Sequence, residues 1–165
     1  MNTYPLVFSC RQLVEGDAFA AGVEIKGRAL LEQDGDEWTV CGVEPGGFAG
    51  CGNSPGEAYA DFRNTLATIL FDAALFFPSN FEAFEREVRD FAGTRDDEAA
   101  RLWEAARAEV QKGTLVTEPF AAKLPRNTKS AELTLTITRL DESRGLAAPA
   151  TARNQVDQVC LQEAA

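Results

Sequence analysis

Between residues 46 and 58 the chain reads GGFAGCGNSPGEA, five glycines set directly ahead of a strongly helical run. So few side chains leave two structural options. One is a loop that wraps an anion at a helix N-terminus; the other is a corner that turns a strand into a helix. The spacing favours the corner. A dinucleotide fingerprint needs GxGxxG, and although Gly50 and Gly52 supply GxG, Pro55 stands where the third glycine belongs and Gly56 falls one place late. A Walker-type loop needs Gly-Lys-Ser/Thr, and no lysine lies between Lys26 and Lys112. Ser54-Pro55-Gly56-Glu57 is instead a helix start, with Ser54 as N-cap, Pro55 at the first helical position and Glu57 at the third.

From that corner the remaining elements follow. Ala58, Phe62, Leu66, Ile69 and Ala73 recur at helical spacing until Pro78, which predicts a helix over 55–76. A second box, Ser79-Asn80-Phe81-Glu82, opens a helix with the stripe Phe81, Phe84, Val88 and Phe91, broken at Gly93. A third helix begins near Thr94–Asp97, carries Leu102, Trp103, Ala106 and Val110, and ends at Gly113. Its Asp97, Arg101, Glu104 and Arg107 read as a solvated face with i,i+4 pairs. Ahead of the corner, residues 4–9 predict a first strand, with Pro5 at a sheet edge or at the strand start. Residues 19–33 predict a second strand with a break at Gly27, and Asp34-Gly35-Asp36 a hairpin turn into a strand over 38–43. Pro45-Gly46-Gly47 ends that strand, and Phe48–Cys51 can form a short further one. AELTLTITRL at 131–140 is the cleanest amphipathic strand, with Leu133, Leu135, Ile137 and Arg139 on one side and Thr134, Thr136 and Thr138 on the other. A terminal helix around 153–163 is the remaining candidate.

The order β-β-β-(β)-α-α-α-β predicts an α+β fold, an antiparallel sheet of 3–5 strands with helices on one face. The expected organisation is a core over 1–76, a helical hairpin extension over 77–113 and a C-terminal strand and tail over 114–165, packed as one domain.

Composition narrows the chemistry. The chain contains no histidine, which removes Ser-His-Asp and Cys-His catalysis and most transition-metal sites. Cys10, Cys41, Cys51 and Cys160 form no CxxC pair, so free or buried thiols are expected, and neither disulfides nor structural zinc. The N-terminal MNTYPLVFSCRQLVEGD has no basic segment ahead of an apolar one, and no apolar run approaches the roughly 18 residues of a membrane span. A cytoplasmic protein without membrane contact is expected. Net charge is −10, unevenly spread. Residues 1–76 hold eleven acids and four bases (net −7), 77–115 nine and six (net −3), and 116–165 six of each. Beyond the thin Lys123/Arg126/Lys129 cluster there is no basic face for nucleic acid, and the acidic first half suits a basic protein partner or simply a solvated surface.

One stretch carries a family resemblance. Asp34-Gly35-Asp36-Glu37-Trp38, then Val40 and Val43, Pro45 and Gly47, and Gly52-Asn53-Ser54-Pro55-Gly56-Glu57-Ala58 follow the pattern of an acidic turn, an aromatic strand, a Pro-Gly corner and a capped helix. In this pattern residues 20–76 resemble the HicB-like antitoxin family. The resemblance implies a partial ribonuclease-H-like β-β-β-α-β core that lacks the catalytic acids of ribonuclease H. It also implies binding to a small basic toxin ribonuclease, a HicA-like toxin. The chain departs from the family pattern after the first helix: two more helices follow, and no helix-turn-helix or ribbon-helix-helix module for operator binding is evident.

These readings together predict a non-enzymatic protein without cofactor or metal that engages a basic partner through Asp34, Asp36, Glu37, Glu44 and Asp61, and that self-associates. Two alternatives stay open on the residues. One is a structural or oligomerisation domain in which strand 131–140 crosses to a neighbour. The other is a nuclease-like enzyme holding Mg²⁺ on Asp36, Glu57 and Asp61.

Overall fold

The computed structural model describes residues 2–115 and 133–141. Four strands run as an antiparallel meander: β1 (Asn2–Glu15), β2 (Ala20–Asp34), β3 (Glu37–Glu44) and β4 (Gly46–Gly52). Three helices follow, α1 (Pro55–Phe76), α2 (Phe81–Ala92) and α3 (Asp97–Lys112), and then β5 (Thr134–Arg139). The fifth strand pairs antiparallel with Ala21–Lys26 of β2, the stretch of β2 that is not paired with β3. The α+β class with a five-stranded antiparallel sheet is therefore as expected from sequence. The start of the expected strand at 131–132 and the helix expected at 153–163 lie outside the described residues.

Two strand expectations need revision. β1 continues to Glu15, well beyond residue 9, because all fourteen of its residues find partners on β2. Gly27 does not break β2. It is the cross-strand partner of Phe8, and a Cβ there would collide with the Glu44 carbonyl oxygen and lie 2.7 Å from the Phe8 ring, so the β3 backbone and the ring together take the space of a side chain. The irregularity falls one residue later, as a register shift between Arg28 and Ala29 against β3.

Strand alternation separates two faces. Tyr4, Phe8, Cys10 and Val14 of β1, Ala21, Val23, Ile25, Ala29 and Leu31 of β2, and Val40 of β3 point to one side. There they meet Ala58, Phe62, Leu66, Leu70, Ala73 and Ala74 of α1 and Phe84 and Val88 of α2. Phe62 sits at the centre, fully buried, stacked on Phe48 (4.5 Å) and edge-on to Phe8 (5.1 Å). Burying each such aromatic contributes about 2–3 kcal/mol.

The expectation of all helices on one face holds for α1 and α2 and not for α3. Leu30 and Val43, of opposite parity to the main core, pack with Val7 against Ala99, Ala100 and Trp103 on the far side of the sheet. The crossing is made at the β3–β4 corner: Asp96 N–H donates to Val43 O (3.0 Å) and Gly46 N–H to Thr94 O (3.2 Å). Asp96 then caps α3 by accepting from the Glu98 and Ala99 N–H groups. Trp103 completes the seat, its Nε1–H donating to Leu6 O (2.9 Å) beneath the Arg28 guanidinium, 4.8 Å from the ring centroid. Leu102, expected in the buried stripe, faces solvent at 43% exposure.

At the other helix starts, Ser54 Oγ accepts from Glu57 N–H as expected, whereas α2 is capped by Asn80 and not Ser79. β5 is tied down at its end. Arg139 forks onto both Asp141 oxygens (3.0–3.1 Å), Asp141 Oδ1 accepts from Ala20 N–H (3.3 Å), and the guanidinium lies 5.2 Å from the Phe81 ring centroid. Hydrogen bonds from that guanidinium hold the Asp141 carboxyl below its usual range. No helix among the described residues is long and apolar enough to cross a membrane.

Candidate functional site: the acidic end of the sheet

The glycine-rich corner resolves as a packing joint. Gly50 lies under α1 so closely that a Cβ would stand 2.5 Å from Phe62 Cα and 2.7 Å from Ala58 O. The helix backbone thus rests on the strand backbone, with no room between them for an anion. Two carboxylates one helical turn apart complete the joint. Asp61 Oδ2 accepts from Cys51 N–H (3.0 Å) and Glu57 Oε2 from Asn53 N–H (2.9 Å). They occupy donors at the end of edge strand β4 that would otherwise template another strand. Glu57 reaches back to the residue before the cap, a variant of the capping box.

The sequence-predicted acids divide in space. Asp34, Asp36 and Glu37 are exposed together at the β2–β3 hairpin tip, where Asp34 is the register partner of Glu37. None of the three enters an ion pair among the described residues. Asp61 belongs to the same end of the sheet: it caps Cys51, whose partner across β3 is Thr39. Glu44 does not join them. It is half-buried at the opposite end of β3, roughly 25 Å away along an eight-residue strand, opposite Arg28. Glu32 was not among the predicted acids; it lies half-buried on β2 two residues before the turn. Its position in an Asp/Glu-rich stretch was the available signal.

Among the described residues, the hairpin acids at this end have no ion-pair partner. Six of the seven acids between Ala29 and Phe62 (Glu32, Asp34, Asp36, Glu37, Glu57 and Asp61) lie toward this end, Glu44 being the exception, and that stretch of chain contains no base. Such an arrangement projects a negative field that attracts cationic surfaces and fades with salt. For the Mg²⁺ alternative, Glu57 and Asp61 each have an oxygen taken by a backbone N–H. No group of three His, Cys, Asp or Glu is placed to hold a metal among the described residues.

Two cysteines share the outer surface of β3 and β4. Cys51 is exposed, its Sγ 3.7 Å from Thr39 Oγ1, and Cys41 is half-buried with Sγ 4.0 Å from Glu32 Oε2. Burial, then the charges of Glu32, Cys51 and Asp96, push the Cys41 thiol up to about 11. Burial also raises Cys10. Alkylation at about pH 8.5 is therefore expected to mark Cys51 well ahead of Cys41 and Cys10, as read by peptide mass mapping. Because the folded Cys41 releases its proton only near pH 11, an unfolded thiol with a pKa of 9.0 ionises first, and stability is expected to fall across that interval.

Comparison of the chain with protein-family models, with curated proteins and with solved structures finds no match.

Proposed function

We propose that the protein is a non-enzymatic, HicB-like interaction module of the cytoplasm that binds and neutralises a small basic protein, a toxin ribonuclease of the HicA-like kind. The observation that carries this reading is the acidic hairpin end: Asp34, Asp36 and Glu37 are exposed together at its tip, without an ion-pair partner among the described residues. The element order from β2 supports it as well. β2-β3-β4-α1 and then β5 give the β-β-β-α-β sequence that the resemblance implies, with β1 added before it and α2 and α3 inserted. A hairpin tip held by a paired strand on each side presents its carboxylates at little entropic cost, which favours rapid association with a cationic partner.

Affinity capture with the full chain from its native cell, at low salt and at ~0.5 M salt, tests the proposal. The expected result is a small basic protein retained at low salt, released at high salt, and lost in the D34N/D36N/E37Q variant. Capture of no basic protein, or of one insensitive to both changes, would overturn it.

A further inference from the structure

The opposite end of the molecule carries a second surface, about 33 Å away along the 22 residues of α1. Here α1 ends with Leu75 and Phe76 at 75% and 82% exposure and Phe71, one turn before Leu75, at 39%. Large apolar side chains left this open next to one another mark a contact surface more often than a neutral exterior. Nothing in their own packing explains them, because α1 buries Leu66, Leu70, Ala73 and Ala74 on its sheet side. Among the described residues, the one ring beside Phe76 is that of Phe77, its centroid 6.2 Å away.

The charge around this surface selects its occupant. α1 has no basic residue in its last turn, whereas α2 ends with Arg89 and α3 with Lys112. The negative end of the α1 dipole therefore has no cation from its own last turn beside Phe76. Asp72 lies on the same stretch of helix and is exposed. The β1–β2 turn, with exposed Glu15 and Asp17, abuts the chain just beyond it, Ala18 N–H donating to Pro78 O (3.1 Å). None of these three acids has an ion-pair partner among the described residues. From Asn64 to Glu85, and again from Gln12 to Ile25, the chain contains no base, and Arg139, which reaches Ala18 O of the turn (3.5 Å), is engaged by Asp141. A second copy docking through this surface would bring like charges together at its rim, so self-association is disfavoured there.

We infer that Phe71, Leu75 and Phe76 form a docking surface for a cationic amphipathic segment of another protein, its apolar side chains on this patch and its Lys or Arg residues on Asp72, Glu15, Asp17 and the α1 C-terminus. This surface is independent of the hairpin end, and either can fail without the other.

The test uses the full chain and a fluorescent helical peptide with Leu at i,i+4 spacing and Lys at its other exposed positions, followed by anisotropy. Expected results are saturable binding, weakening of at least about tenfold in the L75S/F76S variant, and weakening both in D72K and at ~0.5 M salt. D34N/D36N/E37Q should bind the peptide as the wild type does. Leu75 and Phe76 are exposed, so L75S/F76S should keep the wild-type circular dichroism and melting temperature. Absence of saturable binding, equal binding by L75S/F76S or D72K, or equal binding of a peptide with Glu in place of Lys would overturn the inference. A wild-type dimer that strengthens with salt and dissociates in L75S/F76S would assign the patch to a second copy and overturn it as well.

Discussion

Replacing Gly50 with alanine is expected to lower stability by about 3 kcal/mol, the upper part of the range for overpacked cores. A methyl group at this position meets backbone atoms, Phe62 Cα and Ala58 O, and no flexible side chain that could swing aside. To admit it, α1 must lift off β4, and Phe62 must lose part of its contact with Phe48 and Phe8. Urea titration should show a lower midpoint with little change in slope, since the amount of surface exposed on unfolding stays nearly the same. Gly56→Ala supplies the control. It lies in the first turn of α1, is exposed, and has nothing within 4 Å of an added Cβ, so it should be neutral or stabilising by up to about 1 kcal/mol. If Gly50→Ala proved as harmless as Gly56→Ala, the direct contact of helix and strand backbones would be refuted, and an open corner able to take a ligand would return.

The second large effect is expected at Trp103. Truncation to alanine removes a side chain that is 2% exposed, its hydrogen bond to Leu6 O and the ring beneath Arg28, at a cost of about 3–5 kcal/mol. Since α3 joins the far face through a small cluster of Leu30, Val43, Ala99, Ala100 and Trp103, the loss should be concentrated there. Amide exchange in α3 should accelerate, while α1 and the central strands keep their protection order. Trp38 packs against the main core and reports on that side by its fluorescence. Trp103→Phe keeps most of the apolar contact and gives up the donor, so a loss of about 1 kcal/mol is expected. An α3 whose exchange did not respond to Trp103→Ala would contradict its anchoring on the second face.

How much of this was legible in the sequence depended on the range of the interactions. Helix α1 was readable in full because its determinants are local: Ser54 caps Glu57 three residues on, and Phe62 and Leu66 repeat at helical spacing. The one-residue error at α2 arose because Ser79 and Asn80 are both good caps, and the extended backbone at Asn80 decides between them. The far half of β1 was hidden because its extent is set by pairing with β2, and an exposed Leu13 in the run obscures its alternation. Trp103 was recognised as buried, but its periodicity is silent about which face of the sheet it meets. That choice is made by Thr94–Asp96 bonding to the β3–β4 corner, a contact some fifty residues apart in sequence. Gly27 read as a break because a missing side chain looks the same in sequence whether the chain turns or a neighbour fills the gap.

The acids show the same division. Asp34, Asp36 and Glu37 are adjacent in the chain and so adjacent in space, whereas Glu44 was grouped with them by composition and is separated by the length of β3. Asp61 was marked as a partner contact, and its oxygen on Cys51 N–H gives it a role within the fold. What composition conveyed correctly was the sign of the surface. What it did not convey was that the acids leave two ends of one helix differently equipped, one carboxylate-rich and polar, the other apolar with an acidic rim.

The proposal that a basic protein docks at the hairpin end is tested most directly by hydrogen–deuterium exchange of the full chain, with and without the small basic protein taken by low-salt capture. The predicted result is slowed exchange over the hairpin, Gln33 through Thr39, that disappears in D34N/D36N/E37Q, with no change in α3. Protection confined to α3 or to the C-terminal turns of α1, with the hairpin amides unchanged, would contradict it.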